Sequence, residues 1–161
     1  MSPFDPDIEE AAAKAEPQLR SLADQIPASV SSAMNGFGLV LTQKEPYDVG
    51  DQWLGHSCRI GLQGGFSCCL EIHATPLTCG ELYRLATGAE ASNPFELDEM
   101  LCEVANQILG HAKAQIDVPE SRLMLPAVIS PPESLEFQMA PINVYEYGDN
   151  ELRISLYPEC C

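Results

Sequence analysis

Cations are scarce in this chain. Only 8 Lys and Arg stand against 24 Asp and Glu, a formal net charge of −16 over 161 residues. Grip on a phosphate backbone needs clustered cations, so nucleic-acid binding is not expected. Anionic membrane surfaces are disfavoured on the same ground. Long apolar runs are missing too, and none approaches the roughly 18 residues of a membrane span. The opening stretch, MSPFDPDIEEAAAKAEP, is acidic and lacks the basic-then-apolar order of a secretory signal. The expectation is a soluble, cytoplasmic protein. Three reaction signatures are absent as well: a Gly-rich phosphate loop, G-x-S-x-G and H-E-x-x-H. Any chemistry must therefore come from side chains outside those patterns.

Cysteine is present in an odd number, seven, with no C-x-x-C. Without a signal peptide, reduced thiols are the default and a disulfide framework is not expected. Cys68 and Cys69 lie in a strand pattern, where adjacent side chains point to opposite faces. His56, Cys58, His73 and Cys79 lack the spacing of a metal finger. A thiol- or metal-sensing role for those four stays open as the weakest of three functional alternatives.

What is present is one globular domain's worth of core, with 45% apolar residues. Residues 1–34 read as a helical region, either part of the domain or an extension of it. Ile8, Ala11, Ala12 and Ala15 make one apolar stripe, and Leu19, Leu22 and Ile26 another. Pro17 and Pro27 are expected to break or kink them. Asn35-Gly36 carries turn chemistry. Leu39–Thr42 predicts a strand, followed by a loop through Gly50-Asp51. His56–Gln63 and Phe66–His73 predict a hairpin around Gly64-Gly65.

A short helix is expected from Thr78 to Thr87, ending at Gly88. Asn93-Pro94 opens a longer one over 95–116. Leu123–Leu125 predicts a short strand before Pro126 and Pro131-Pro132. A last hairpin, Leu135–Tyr147 and Glu151–Tyr157, turns at Gly148-Asp149-Asn150. Paired antiparallel strands with intervening helices define an α+β class: one domain, one antiparallel sheet, covered by helices. The sheet's edge is expected to be available to a second copy.

The long helix carries the most information. At about 100° per residue, Leu97, Leu101, Val104 and Ile108 gather on one side, with Ala105 and Ala112 flanking. Glu99, Glu103, Asn106, Gly110 and Lys113 all fall within about 40° of the direction of Glu99, on the opposite side. A plain solvated face explains Glu and Lys. It explains Asn and Gly poorly, since they cost several tenths and roughly 1 kcal/mol relative to Ala. Gly110 also clears bulk beside Asn106. A carboxylate and a carboxamide three residues apart, facing away from the core, can act only on something that comes to them.

Glu99-x-x-x-Glu103-x-x-Asn106, with Gly110 four residues on, resembles the motif of the CheC/CheX family of chemotaxis-type phosphatases. That motif is Asp or Ser, three residues, Glu, two residues, Asn, then a proline some twenty-odd residues later. The surrounding layout is also similar: the Arg59–Phe66 hairpin, the short helix ending at Thr87-Gly88, the motif helix, Leu125–Ile129 and a terminal hairpin. The resemblance spans roughly residues 35–157. It is nearest to CheX-like members with a single motif copy, and 35–161 is the corresponding domain. Three departures stand out, the first being that the N-terminal helical region with Pro17 and Pro27 is longer than expected. Glu99 replaces Asp or Ser, and Pro126 and Pro131 straddle the expected proline.

The resemblance implies a phosphatase acting on a phosphorylated CheY-like receiver protein. Asn106 would enter the receiver's active site and orient the attacking water. Glu103 would pair with a receiver lysine, and Glu99 and Gly110 would assist docking. The chain would need no cofactor of its own, because the receiver supplies Mg²⁺. A homodimer through the sheet edge is also implied. The alternative on the same fold is a non-catalytic, receiver-binding or flagellar-switch-like adaptor.

Overall fold

The computed structural model describes residues 6–45, 53–116, 120–130 and 143–158, with side chains in the first helix from residue 17 onward. Pro131-Pro132, the 135–142 portion of the predicted last hairpin, the Gly50-Asp51 loop and Cys160-Cys161 lie outside that range.

The first helix, α1, runs unbroken from Pro6 to Phe37 with Pro17 and Pro27 inside it. The expected break does not occur. An interior proline costs about 3 kcal/mol. Against this, Leu19, Leu22, Ile26, Val30, Ala33 and Met34 recur at helical spacing and are all buried. At about 1.5–3 kcal/mol for each large apolar side chain, that stripe outweighs both prolines. Nor does the helix stop at Asn35-Gly36. It ends one residue later, at Phe37, where Gly38 takes a left-handed φ of 80°. There the Leu39 amide donates to the Met34 carbonyl at 3.0 Å and the Gly38 amide to Asn35 at 3.1 Å. Leu39 is consequently buried at the cap. The first strand, β1, starts later than expected, at Thr42–Lys44.

The predicted hairpin is β2 (His56–Gly64) and β3 (Cys68–Ala74). Helix α2 (Pro76–Thr87) follows and is capped by Gly88 at φ 77°. Helix α3 spans Pro94–Ala114. Two short strands come next, β4 (Ser121–Leu123) and β5 (Ala127–Val128). The last hairpin is β6 (Asn143–Tyr147) and β7 (Asn150–Tyr157). Among the described residues, seven strands form one sheet in the order β1-β6-β7-β3-β2-β4, with β5 also on β2. Every pairing is antiparallel. β1 lies at one edge, and β4 and β5 at the other.

Strand alternation separates two chemistries. Cys58, Ile60, Leu62, Leu70, Ile72, Leu152, Ile154 and Leu156 join the helices in one apolar core. The opposite face is polar. Its Glu71 is fully buried and meets His73 at 2.6 Å and Arg59 at 3.6 Å. His73 also bonds Ser57. Arg153 holds Glu151 at 2.7 Å. Buried charges persist only when paired in this way. α3 packs over β2 and β3, with α1 and α2 beside it. The side of α3 turned away from the sheet is where the candidate site lies.

Candidate functional site

The start of α3 is fixed by its own sequence. Asn93 Oδ1 accepts the Glu96 amide at 3.1 Å, and Glu96 Oε2 accepts the Ser92 amide at 2.7 Å. The first bond satisfies one of the donors that a helix start leaves open, and the second ties down the residue before the cap. Pro94 occupies the first turn, where its missing N–H costs nothing. The sheet-facing side is apolar: Leu101, Val104, Ala105, Ile108, Leu109 and Ala112 are all 0% exposed. With that face sealed, the helix cannot roll about its axis, and the opposite stripe must point outward.

Glu99 and Glu103 are exposed, and Asn106 is half-exposed. Neither member of the Glu103/Asn106 pair enters the core. Glu103 Oε1 accepts a hydrogen bond at 3.2 Å from Nε2 of Gln107, one turn later. Such i,i+4 pairs are worth only tenths of a kcal/mol, but this one sets the direction of the carboxylate. Gln107 is not among the sequence-based candidates, although its four-residue spacing from Glu103 is visible in the chain.

The C-terminal part of the stripe is different. Gly110 and Lys113 are half-buried. A Cβ on Gly110 would stand 3.4 Å from Cδ1 of Leu123. The Lys113 ammonium donates to the carbonyl of Ser121. β4 therefore lies against the end of the helix. Its seat depends on Gly64, whose φ is 141° and whose added Cβ would be 2.5 Å from the Glu120 carbonyl. Ser121 completes the seat: its hydroxyl receives the Phe66 amide at 3.0 Å and donates to the Phe66 carbonyl at 2.8 Å. These contacts join residues some 55 positions apart, so no local pattern announces them.

Two neighbours flank the N-terminal part. Tyr83 of α2 bonds Glu96, and that bond, then burial and the charges of Glu96 and Glu99, push its hydroxyl above the usual tyrosine range. Phe95 stands 63% exposed one turn before Glu99. Elsewhere on α2, Glu81 is held below the ordinary carboxylate range, chiefly by Arg84 at 2.9 Å.

The four residues of the thiol- or metal-sensing alternative do not converge. His56 bonds Asp98 at 2.7 Å, His73 bonds Ser57 and Glu71, Cys58 faces Cys102, and Cys79 is buried in the core. Among the described residues, no group of three His, Cys, Asp or Glu is placed to hold a metal ion. Nor is any described helix long and apolar enough to cross a membrane. The expectation of reduced thiols throughout needs one correction, because Cys69 is disulfide-bonded. Cys58, Cys79 and Cys102 keep their thiols.

The chain has the CheX/CheC-like fold. CheX from Vibrio vulnificus superposes with a TM-score of 0.67 at 18% identity, over 84% of this chain and 95% of that one. CheX from Borrelia burgdorferi, solved as a complex with CheY, BeF₃ and Mg²⁺, gives 0.68 at 19% identity, over 85% and 97%. The middle domain of FliM from H. pylori gives 0.53 at 18%, over 89% and 93%. By sequence, no family model matches the chain and no curated protein does.

Proposed function

We propose that this protein is a phosphatase that hydrolyses the phosphoaspartate of a CheY-like receiver in chemotaxis or two-component signalling. One observation carries the reading: Glu103 and Asn106 both face away from the core on a capped, immobilised helix of a CheX/CheC-like fold. A CheX of this fold forms a complex with CheY, BeF₃ and Mg²⁺, which supports a receiver as the partner.

In this reading Asn106 enters the receiver's site. Its carboxamide offers a donor and an acceptor and does not titrate, so it can hold a water in line with phosphorus at any physiological pH. Water adds to phosphorus, the bond to the aspartyl oxygen breaks, and carboxylate and inorganic phosphate leave. Glu103, oriented by Gln107, pairs with a receiver lysine and sets the docking register. Glu99 adds a contact one turn earlier. Gly110 keeps side-chain bulk away from Asn106. Catalysis of this kind is positioning and charge placement, so the chain supplies no nucleophile and no cofactor. Mg²⁺ belongs to the receiver. The chain's surplus of acidic groups steers a partner that carries basic surface. The protein acts in the cytoplasm, as a homodimer through an edge of the sheet. A monomer by light scattering at micromolar concentration would contradict the dimer.

The test is phosphate release from phosphorylated receivers of the same cell, with and without the protein. Acceleration that depends on Asn106 is the expected result. The second reading, a receiver-binding adaptor, is favoured by the FliM middle domain's sharing of the architecture and by Glu99 in place of Asp or Ser. Phospho-receiver binding with no acceleration of hydrolysis would select it.

A further inference from the structure

Beneath the site helix two sulfurs face each other. Cys58 of β2 is fully buried, Cys102 of α3 is half-buried, and both are free thiols. The Cys58 thiol donates to Cys102 Sγ across 2.9 Å. Cys102 directly precedes Glu103 in the chain. No role in the proposed hydrolysis uses either sulfur.

We propose that Cys102 and Cys58 form a hydroperoxide-oxidisable dithiol, with Cys102 reacting first and Cys58 resolving it. Burial assigns the roles. Cys102 has partial access to solvent, and Cys58 has none. The hydrogen bond from Cys58 also holds the Cys102 thiol below its ordinary value, against burial and the carboxylates of Asp98 and Glu99. The thiolate is the reactive form. The same bond, and then burial, push Cys58 upward, so it keeps its proton until the second step. The other buried thiol near the site, Cys79, is pushed up to about 12 by burial and by Asp98 and does not compete.

The chemistry balances in two steps. The Cys102 thiolate attacks the terminal oxygen of the hydroperoxide, and the O–O bond breaks. The leaving oxygen takes a proton and departs as an alcohol, or as water from hydrogen peroxide, leaving Cys102 as a sulfenic acid. Cys58 then attacks the Cys102 sulfur, an S–S bond forms, and the sulfenic oxygen leaves as water. Two thiols lose two electrons and two protons, and the peroxide gains them. A disulfide needs its sulfurs at about 2.05 Å, so the approach required is under about 1 Å. The bond would tie β2 to α3, across 44 positions in sequence, one residue before Glu103.

The experiment treats the full chain with hydrogen peroxide, blocks remaining thiols, and maps peptides without reduction. A Cys58–Cys102 cross-linked peptide that disappears with dithiothreitol is expected. Peroxide should also raise the Tm by about 5 °C or more, as closure of a long loop does. Cys102→Ser, at a half-exposed position that tolerates serine, should give neither the peptide nor the rise. Cys58→Ser should likewise give no cross-link. The proposal is overturned if both thiols stay alkylatable after peroxide. It is equally overturned if Cys102 goes on to sulfinic acid uncrosslinked, or pairs with a different cysteine. None of these readouts depends on Asn106 or on phosphate release.

Discussion

The two halves of α3 share one outward stripe and meet different fates. Glu99, Glu103 and Asn106 are open or half-open, whereas Gly110 and Lys113 lie against β4. By helical angle the five are equivalent. What separates them is a strand eight or more residues further along, seated where Gly64 leaves room. An amphipathic pattern therefore says which side of a helix faces away from the core. It does not say whether that side meets solvent or another element.

Breaking the seat of β4 should have the largest effect. Gly64→Ala forces a side chain into a left-handed φ and onto a backbone carbonyl, and should cost about 3 kcal/mol. Urea unfolding would measure it, and amide exchange should show Ser121–Leu123 losing protection while residues 99–106 keep theirs. Equal loss of protection along both halves would remove the distinction drawn between them.

Asn106→Ala should separate the halves by function. Phosphate release should fall about 10²-fold, or ~2.7 kcal/mol of activation free energy, comparable to losing one orienting group. The urea midpoint should hardly move, because the side chain lies outside the core. Wild-type rates on every receiver tested would end the catalytic role. Lys113→Met is the mirror case. Loss of the bond to Ser121 should lower stability by about 1 kcal/mol and leave phosphate release unchanged.

Gln107→Ala should act on the open half alone. Glu103 loses its orienting partner, so receiver affinity should drop a few-fold at constant stability. Affinity for a beryllofluoride-activated receiver is the measurement, and a stability change without an affinity change would reassign Gln107 to the fold. The smallest effect belongs to Gly110→Ala. The helix gains up to about 1 kcal/mol in propensity, and the new methyl needs only a small shift of Leu123's flexible end. Stability should stay level or rise slightly. A loss above about 1 kcal/mol would mean that β4 is packed against the helix more rigidly than Leu123 allows.

Legibility followed the range of the interactions. The β2–β3 hairpin, the Gly88 cap, the Asn93 cap and α3 were all readable, because each rests on contacts within a few residues or on a simple period. The outward placement of Glu103 and Asn106 was readable for the same reason. The course of α1 differs from the expected break, because a proline penalty is local whereas the burial that overrides it comes from packing on α3 and α2. β5 was missed because a two-residue strand has no period of its own. It exists through its pairing of Val128 with Cys58 and Ala127 with Arg59.

By itself, the sequence determined the acidic character, the α+β class and the facing of Glu99, Glu103 and Asn106, since charge, strand alternation and helical angle are properties of the chain. Tertiary structure decided that Pro17 and Pro27 stay helical, that β4 covers Gly110 and Lys113, and that Cys58 and Cys102 meet. Each of those outcomes depends on distant segments brought into contact, and in contact the burial of apolar surface outweighs local preference.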